Sequence, residues 1–502
     1  MREPSSPPSG SHASFDPVAV RTSALRLLGG AAIAAIAASL TACVSSGGSD
    51  GARASEKLRA QEAIAGLIEK APIEWKLAEP AARPPREQWW RLFQDAELDR
   101  LEELALKQNQ QLAEILSRRD QAKALVGVGL SDRFPHLSAT PAFTRQRTSP
   151  HAFDRGKEIG VPHTYTSYVL PLESSWELDL WGRVRRQVDA ARARARAADD
   201  DYRAAKLSIQ AEVATAYFGL AAAMRDQALL AATVEAYRKS SELVRERRRV
   251  GIVSDLDLAQ AETQLRSAQS QTPASALRAQ KLRNALAALC GATPAAFHSA
   301  DSREASQLPG DIPSVVRSEW LENRPDIAAA SRRVAAANAD VGVARAAYYP
   351  RLALKGLAGV QSIDAASLLS WPSRIWAVGP SLDMPLFTAG RTRSLVAASR
   401  SAYDATVAQY RQTVLSAFQE VEDQLASLGS LAEQESAEVG ALESSRKALE
   451  VANNRYRAGM ITFLEVANAQ TIALIHERAV VALRAERQLA AVGLIRALAA
   501  SW

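Results

Sequence analysis

Fifteen residues, RVGIVSDLDLAQAET from Arg249 to Thr263, return as RAGMITFLEVANAQT from Arg457 to Thr471, 459 − 251 = 208 positions further on. The same offset carries Gly182-Arg183 with Arg185 onto Gly390-Arg391 with Arg393. It also carries Val188, Ala190, Arg192, Tyr202, Arg203, Glu212 and Val213 onto Val396, Ala398, Arg400, Tyr410, Arg411, Glu420 and Val421. No insertion intervenes, as expected of one continuous helix with fixed phase. Upstream the offset is 215: Val126-Gly127-Val128 matches Val341-Gly342-Val343, and Pro135 with Leu137 matches Pro350 with Leu352. The first copy therefore holds (182 − 135) − (390 − 350) = 7 extra residues between the Pro and the Gly, which confines the insertion to a loop-bearing region. Such a chain is a tandem duplication, and what one half folds into the other must repeat.

Each half contains a very long helix. From Arg183 to Val250 there is no Pro and only Gly219, and from Arg391 to Ala458 no Pro, with Gly429 and Gly440. The abundance of Ala, Leu, Arg, Glu and Gln favours this. Tyr410, Val414, Phe418, Val421, Leu425 and Leu428 recur at steps of 4, 4, 3, 4 and 3, a narrow apolar stripe at the helical period. About 68 residues at 1.5 Å each make a rod of about 100 Å. A globule cannot cover such a stripe, so the rod must lie along other rods of this chain or of partners. Gly251 and Gly459 supply left-handed caps at the rod ends, and Ser254 or Thr462 can cap the helices that follow. The repeated fifteen residues are thus helix–turn–helix tips, over about 249–256 and 457–464.

At the opposite end the period changes to 2. In YVLPLESSWELDLW, Tyr168, Leu170, Leu172, Trp176, Leu178 and Leu180 share one face, and Glu173, Ser175, Glu177 and Asp179 the other. In RIWAVGPSLDMPL, Trp376, Val378, Leu382 and Met384 oppose Ala377, Gly379, Ser381 and Asp383. HLSATPAFTRQR and RLALKGLAGVQS can serve as hairpin partners, which gives strands within about 136–181 and 351–388. Apolar-out, polar-in alternation with aromatic residues fits a transmembrane β-barrel; a soluble half-buried sheet would alternate in the same way. Four strands per chain cannot close a barrel, and lipid tolerates no open edge, so a membrane-spanning chain must oligomerise.

The N-terminus bears on the compartment. Arg21 and Arg26 precede LLGGAAIAAIAASLTA, an apolar run too short to span a bilayer comfortably, which ends at Cys43. Leu40-Thr41-Ala42-Cys43 resembles a bacterial lipobox, whose Cys carries the lipid; an ordinary signal peptide with an incidental Cys is the other reading. On the first, residues 1–42 are a signal peptide, Cys43 is lipidated, and 43–88 form a tether and N-terminal segment, with VSSGGSDGARAS flexible. By resemblance to known sorting, Val44 after the lipidated Cys favours the outer membrane. The other of the two Cys residues, Cys290, leaves no intrachain disulfide pair and reads as a small packing residue at a helix end.

The lipobox, the two strand pairs, the Trp181-Gly182-Arg183 and Ala389-Gly390-Arg391 exits into long helices, and the paired Gly-containing tips together resemble the TolC-like outer-membrane factors, in particular their lipoprotein efflux (NodT-type) branch. The likeness spans about Trp89 to Trp502. It implies an α+β membrane protein with two tandem repeats, over 89–300 and 301–502. A long α-helical barrel would be joined to a transmembrane β-barrel of four strands per chain and twelve in a homotrimer. It further implies a passive exit duct without catalytic residues, partnered by a periplasmic adaptor (membrane fusion) protein and an inner-membrane pump, of the resistance-nodulation-division class. Localisation would be the outer membrane, lipid-anchored, with a long periplasmic extension. No cofactor is expected beyond the covalent lipid on Cys43.

For the tips the resemblance implies a gate. Asp257 and Glu465 each stand six residues beyond a tip Gly, and three chains would set six carboxylates around the entrance, a device that favours cations. Helix N-terminal charge, favoured by the dipole, accounts for the same two residues. Tyr456 matches a position that ties the tip helices closed. Two positions depart from the pattern: an acidic ring of some members falls on Asn468, and a bridging Arg on Ile461.

Enzyme signals are poor. The six His residues are scattered without HExxH or a Cys/His cluster, and GGSDG at Gly47–Gly51 lies in the tether, away from any strand–helix elbow. The formal charge of +6 is interspersed, and RVRRQVDAARARARA (Arg183–Ala197) reads as a solvated helix face rather than a nucleic-acid site. The competing class is a periplasmic coiled-coil lipoprotein with a structural or adaptor role, which would show one hairpin around a β-rich domain rather than two hairpins interrupted by amphipathic strands.

Overall fold

A computed structural model of the chain describes residues 87–149, 153–154, 157–158, 164–298, 308–309 and 318–500. The signal peptide, Cys43 and nearly all of the tether lie outside the described residues.

Seven helices appear among them: α1 (Ala96–Gln108), α2 (Gln110–Ser131), α3 (Arg183–Arg249), α4 (Asp255–Leu289), α5 (Pro325–Ala346), α6 (Arg391–Arg457) and α7 (Phe463–Ala497). The rods α3 and α6 are each 67 residues long, and the helices returning from their tips, α4 and α7, are each 35. Both rods start after a glycine in the left-handed region, Gly182 at φ 77° and Gly390 at φ 83°. One stretch of α3 is apolar enough by composition to cross a membrane, but most of it is buried among other helices. It includes the main core, where Ile209, Val213, Tyr217 and Phe218 meet Trp89, Trp90 and Phe93 of an N-terminal 3-10 turn, Leu98 and Leu101 of α1, Leu286 of α4, and Val492 and Ile495 of α7. Cys290 caps the end of α4 inside this core, fully buried, and burial pushes its thiol up to about 11.

The apolar stripe of α6 differs from the expected one at a single residue. Tyr410, Val414, Val421, Leu425 and Leu428 pack as expected, but Phe418 is exposed and Ala417 is fully buried in its place. The small Ala417 lets the C-terminus of α7 (Leu494, Ala497, Leu498) and the start of α5 (Ile327) close on the rod, and a phenyl ring would hold them off. Beside it the buried Arg324 ties the same three helices together, donating to Asp326 (2.7 Å), Glu420 (3.0 Å) and the Ala497 carbonyl (2.8 Å).

Strands β1 (His136–Ala139), β2 (Ala142–Arg147), β5 (Thr164–Leu178), β6 (Arg351–Ser362) and β7 (Arg374–Asp383) form one antiparallel sheet, with β1 and β2 both on β5 and the order continuing through β6 to β7. The dipeptides β3 (Phe153–Asp154) and β4 (Lys157–Glu158) pair separately. Partners along β1 and β2 keep one register on β5 (136 + 175 = 142 + 169 = 311), so these two are a single strand interrupted at Thr140-Pro141. The interruption has a chemical cause: Pro141 has no N–H, and Thr140 faces Pro171, which has none either. Pro171 in turn sits against Gly359 of β6, where a Cβ would stand 2.3 Å from the Leu170 carbonyl oxygen.

The register places Leu137, Phe143, Tyr168, Leu170, Leu172, Trp176, Leu354, Trp376, Val378 and Leu382 on one face of the sheet. Ser138, Thr144, Ser167, Glu173, Ser175, Glu177, Lys355, Gln361 and Ser381 lie on the other. The apolar face is bare, with Trp376 78% and Val378 68% exposed. Both edges, β1/β2 and β7, are unpaired among the described residues.

Candidate functional site

The two tips share one construction. After α3, Gly251 (φ 76°) donates to the Arg248 carbonyl and Ile252 to that of Arg247; after α6, Gly459 (φ 72°) donates to Tyr456 and Met460 to Arg455. These paired bonds satisfy the last carbonyls of each rod with a glycine in the left-handed region, as the repeated fifteen residues predict.

The next helix starts differently in the two copies. Ser254 and Thr462 have the same backbone, φ −81° and ψ 164°. At Ser254 a full capping box forms: its hydroxyl accepts from Asp257 N (3.2 Å), and the Asp257 carboxylate accepts from Ser254 N (3.1 Å) and from its hydroxyl (2.7 Å). Thr462 makes no side-chain cap, contrary to expectation, and Glu465 is exposed, with no hydrogen-bond partner among the described residues. Of the two acidic candidates, then, Asp257 is half-buried and held, whereas Glu465 is exposed and unheld among the described residues.

The tips are joined within the chain. Val244 of α3, Ala261 of α4, Tyr456 of α6, and Phe463 and Val466 of α7 form a small separate core. Tyr456 is edge-on to Phe463 (centroids 5.7 Å, 67°). Arg247 lays its guanidinium over the Tyr456 ring at 4.9 Å and donates to the Tyr456 carbonyl at 3.3 Å. Burial pushes the Tyr456 phenol up, and the nearby Arg247 charge opposes this. A guanidinium thus links the two tips, and it belongs to Arg247 of α3 rather than to position 461. Ile461 packs instead against the apolar tip core.

Two further links, both absent from the expected set, run up the hairpins. Gln264 of α4 donates to the Ala467 carbonyl (3.0 Å) and to the Thr471 hydroxyl (3.3 Å) of α7. Higher up, Arg478 of α7 donates to Asp226 of α3 (2.6 Å) and Gln271 of α4 (2.7 Å), and Ser275 of α4 donates to the same Asp226 (3.0 Å). Between α4 and α7 these links leave an open groove of about 490 Å³, lined by Tyr237, Leu256, Gln260, Gln264, Asn468 and Thr471. Asn468 thus lies in a groove between helices, a turn away from Glu465. At the extreme tip Arg248 grips Asp255 with two bonds (2.6 and 2.8 Å) and holds that carboxyl below the usual range. The arginines that close α3, Arg247 to Arg249, also complement the negative end of its dipole.

The arrangement contains charged side chains and two clasped tips. Among the described residues no group of three or more His, Cys, Asp or Glu could hold a metal ion.

A family model described as outer membrane efflux protein matches residues 101–292 and 316–500. Outer membrane protein OprJ of Pseudomonas aeruginosa is 35% identical over 418 residues, 82% of this chain and 86% of that protein. Toluene efflux pump outer membrane protein TtgC of Pseudomonas putida is 32% identical over 422 residues, 83% of this chain and 86% of that protein. Among solved structures, the Campylobacter jejuni CmeC outer membrane channel superposes with a TM-score of 0.79 at 26% identity, covering 87% of this chain and 92% of that one. The outer-membrane channel OprN superposes at 0.76 and 30% identity, covering 85% and 95%.

Proposed function

The chain belongs to the outer membrane efflux protein family, and from that premise we propose that it is the outer-membrane exit duct of a tripartite efflux system, conducting substrates passively from a periplasmic adaptor and inner-membrane pump to the cell exterior. The observation that carries this reading is the four-stranded sheet with one bare apolar face and two open edges. In lipid each unpaired backbone group costs several kcal/mol, so the edges must be paired by other copies. Three chains joined β7 to β1/β2 close a twelve-stranded barrel, apolar outside and polar within, above a twelve-helix tube. An inner-membrane pump of the resistance-nodulation-division class is the expected energy source. Cys43 carries the lipid that anchors the N-terminus. The relatives' printed names, toluene and antibiotic pumps among them, point to small organic toxicants as cargo.

At the periplasmic end Asp257 and Glu465 from three chains form the acidic ring of the entrance, and Tyr456 with Arg247 holds the tips of each chain together. Gly251 and Gly459 fix where these turns fall. The first test is the mass of the detergent-solubilised particle, corrected for bound detergent. Three chains are expected; a monomer that stays in solution without detergent would sink the duct and favour a periplasmic coiled-coil lipoprotein.

A further inference from the structure

The two halves differ where rods meet strands. In the first half two of the arginines there are answered by carboxylates. Arg183 is held by Glu177 in two bonds of 2.8 Å, Arg185 by Asp179, and Gln187 donates to Asp132 at 3.0 Å. Asp179 also accepts from the backbone N–H of Val184 and Arg185, quenching the positive end of α3. The second half keeps the arginines and loses the carboxylates. Arg183, Arg185 and Arg192 correspond to Arg391, Arg393 and Arg400, whereas Asp132, Glu177 and Asp179 correspond to Ala347, Pro385 and Phe387. Arg345 of α5 joins them from the position that matches Leu130.

The result is an open pocket of about 610 Å³ between α5 and α6, lined by Arg345, Arg393, Arg400, Tyr348 and Tyr349. No carboxylate lines it, and none of its arginines has an ion-pair partner among the described residues. Three arginines line this one pocket with no carboxylate among them, so the site is charge-complementary to an anion. Its surroundings say which kind. Met384, Leu386 and Phe387, which lead from β7 into α6, are 56%, 86% and 89% exposed, and they continue the bare apolar face of the sheet up to the arginines. Tyr348 and Tyr349 are half-exposed, and Tyr349 is stacked on Trp181 at 4.9 Å, an aromatic cluster of the sort found where acyl chains give way to headgroups.

We propose that this pocket is a headgroup site for an anionic phospholipid of the periplasmic leaflet, with Arg345, Arg393 and Arg400 holding the phosphate and the 384–387 segment lying along an acyl chain. The proposal rests on the sheet being a membrane wall. The test reconstitutes the full chain in phosphatidylcholine nanodiscs doped with phosphatidylglycerol, and counts lipids retained per chain by native mass spectrometry after transfer to detergent. Wild type is expected to retain phosphatidylglycerol over phosphatidylcholine. At roughly fivefold per arginine, R345Q/R393Q/R400Q should lose about a hundredfold of that preference. R266Q/R278Q/K281Q, which removes as much charge from exposed positions on α4, should lose none. Equal retention of the two lipids by wild type overturns the site, as does unchanged preference in the triple variant. Displacement of the lipid by 10 mM inorganic phosphate, at about the ligand excess that would compete for a free anion site, overturns the lipid in favour of a soluble anion. A triple variant that keeps its lipid but dissociates into single chains overturns it in favour of a neighbouring chain's carboxylates. A chain that enters no bilayer at all refutes the membrane wall, and the site falls with it.

Discussion

Replacing Arg247 by methionine should loosen the tips without unfolding the rods. Arg247 is half-buried and makes two contacts across the repeats, one with the Tyr456 ring at 4.9 Å and one with its carbonyl at 3.3 Å. A cation over a partly desolvated ring contributes about 1 kcal/mol, and a long hydrogen bond from a charged donor about 1 kcal/mol more. Methionine keeps most of the apolar stem, so the change removes about 2 kcal/mol of contact between tips, or roughly a 30-fold shift toward the separated arrangement. Single-channel recordings in planar bilayers read this as open fraction, and leak of a large antibiotic into cells reads it in vivo. Y456A supplies the control, because it removes the same partner: the double variant should open no further than the stronger single one. An R247M channel within twofold of wild type, or additive effects in the pair, would refute the latch.

Other perturbations address separate parts of the molecule. D257N/E465Q keeps the size of both side chains, and the new amide oxygen at position 257 can still accept from Ser254 N; cation preference in the bilayer should fall, mostly through position 465, which is exposed, and E465Q alone matching wild type would contradict this. Glu102 of α1 is fully buried with neither carboxyl oxygen bonded among the described residues, and burial, aided by the Asp99 charge, raises its pKa well above the usual value. The folded state therefore keeps a proton that the unfolded state releases, so stability falls as pH rises through and above the ordinary glutamate range, until the raised pKa is passed. E102Q should flatten this decline, with the gain in melting temperature larger at pH 8 than at pH 5; a gain independent of pH would count against it. G359V should block assembly, because its Cβ would meet the Leu170 carbonyl oxygen at 2.3 Å and push β6 off β5; heat-resistant oligomer on a gel would show the reasoning wrong.

Much of this was legible in the sequence because periodicity survives where packing is regular. The absence of proline fixes the rods, Gly251 and Gly459 fix the turns, and alternation fixes which strand residues share a face. What escaped reading depends on neighbours far along the chain. Ala417 rather than Phe418 faces the core because α5 and α7 both need to come close there, and the spacing fits either residue. Arg247 looks like one of a run of tip arginines until Tyr456, 209 residues away, is folded beneath it. The Ser254–Asp257 box is spelled out locally, yet the same backbone at Thr462 goes uncapped, so the motif alone did not decide it. The break in the first strand was written in Pro141, but its cause is shared with Pro171 across the sheet.

The matched lengths of the helices, 67 with 67 and 35 with 35, have a mechanical consequence. Height in such an assembly is counted in residues, at 1.5 Å apiece. Losing one residue from α3 alone would lower its tip by about 1.5 Å and turn everything beyond the deletion by about 100°, carrying Arg247 off Tyr456. Losing a heptad from all four helices at once would leave every stripe within about 20° of its partner and shorten the rods by about 10 Å. The reach of the duct across the periplasm is therefore a digital quantity, adjustable in coordinated steps of near-whole turns such as the heptad.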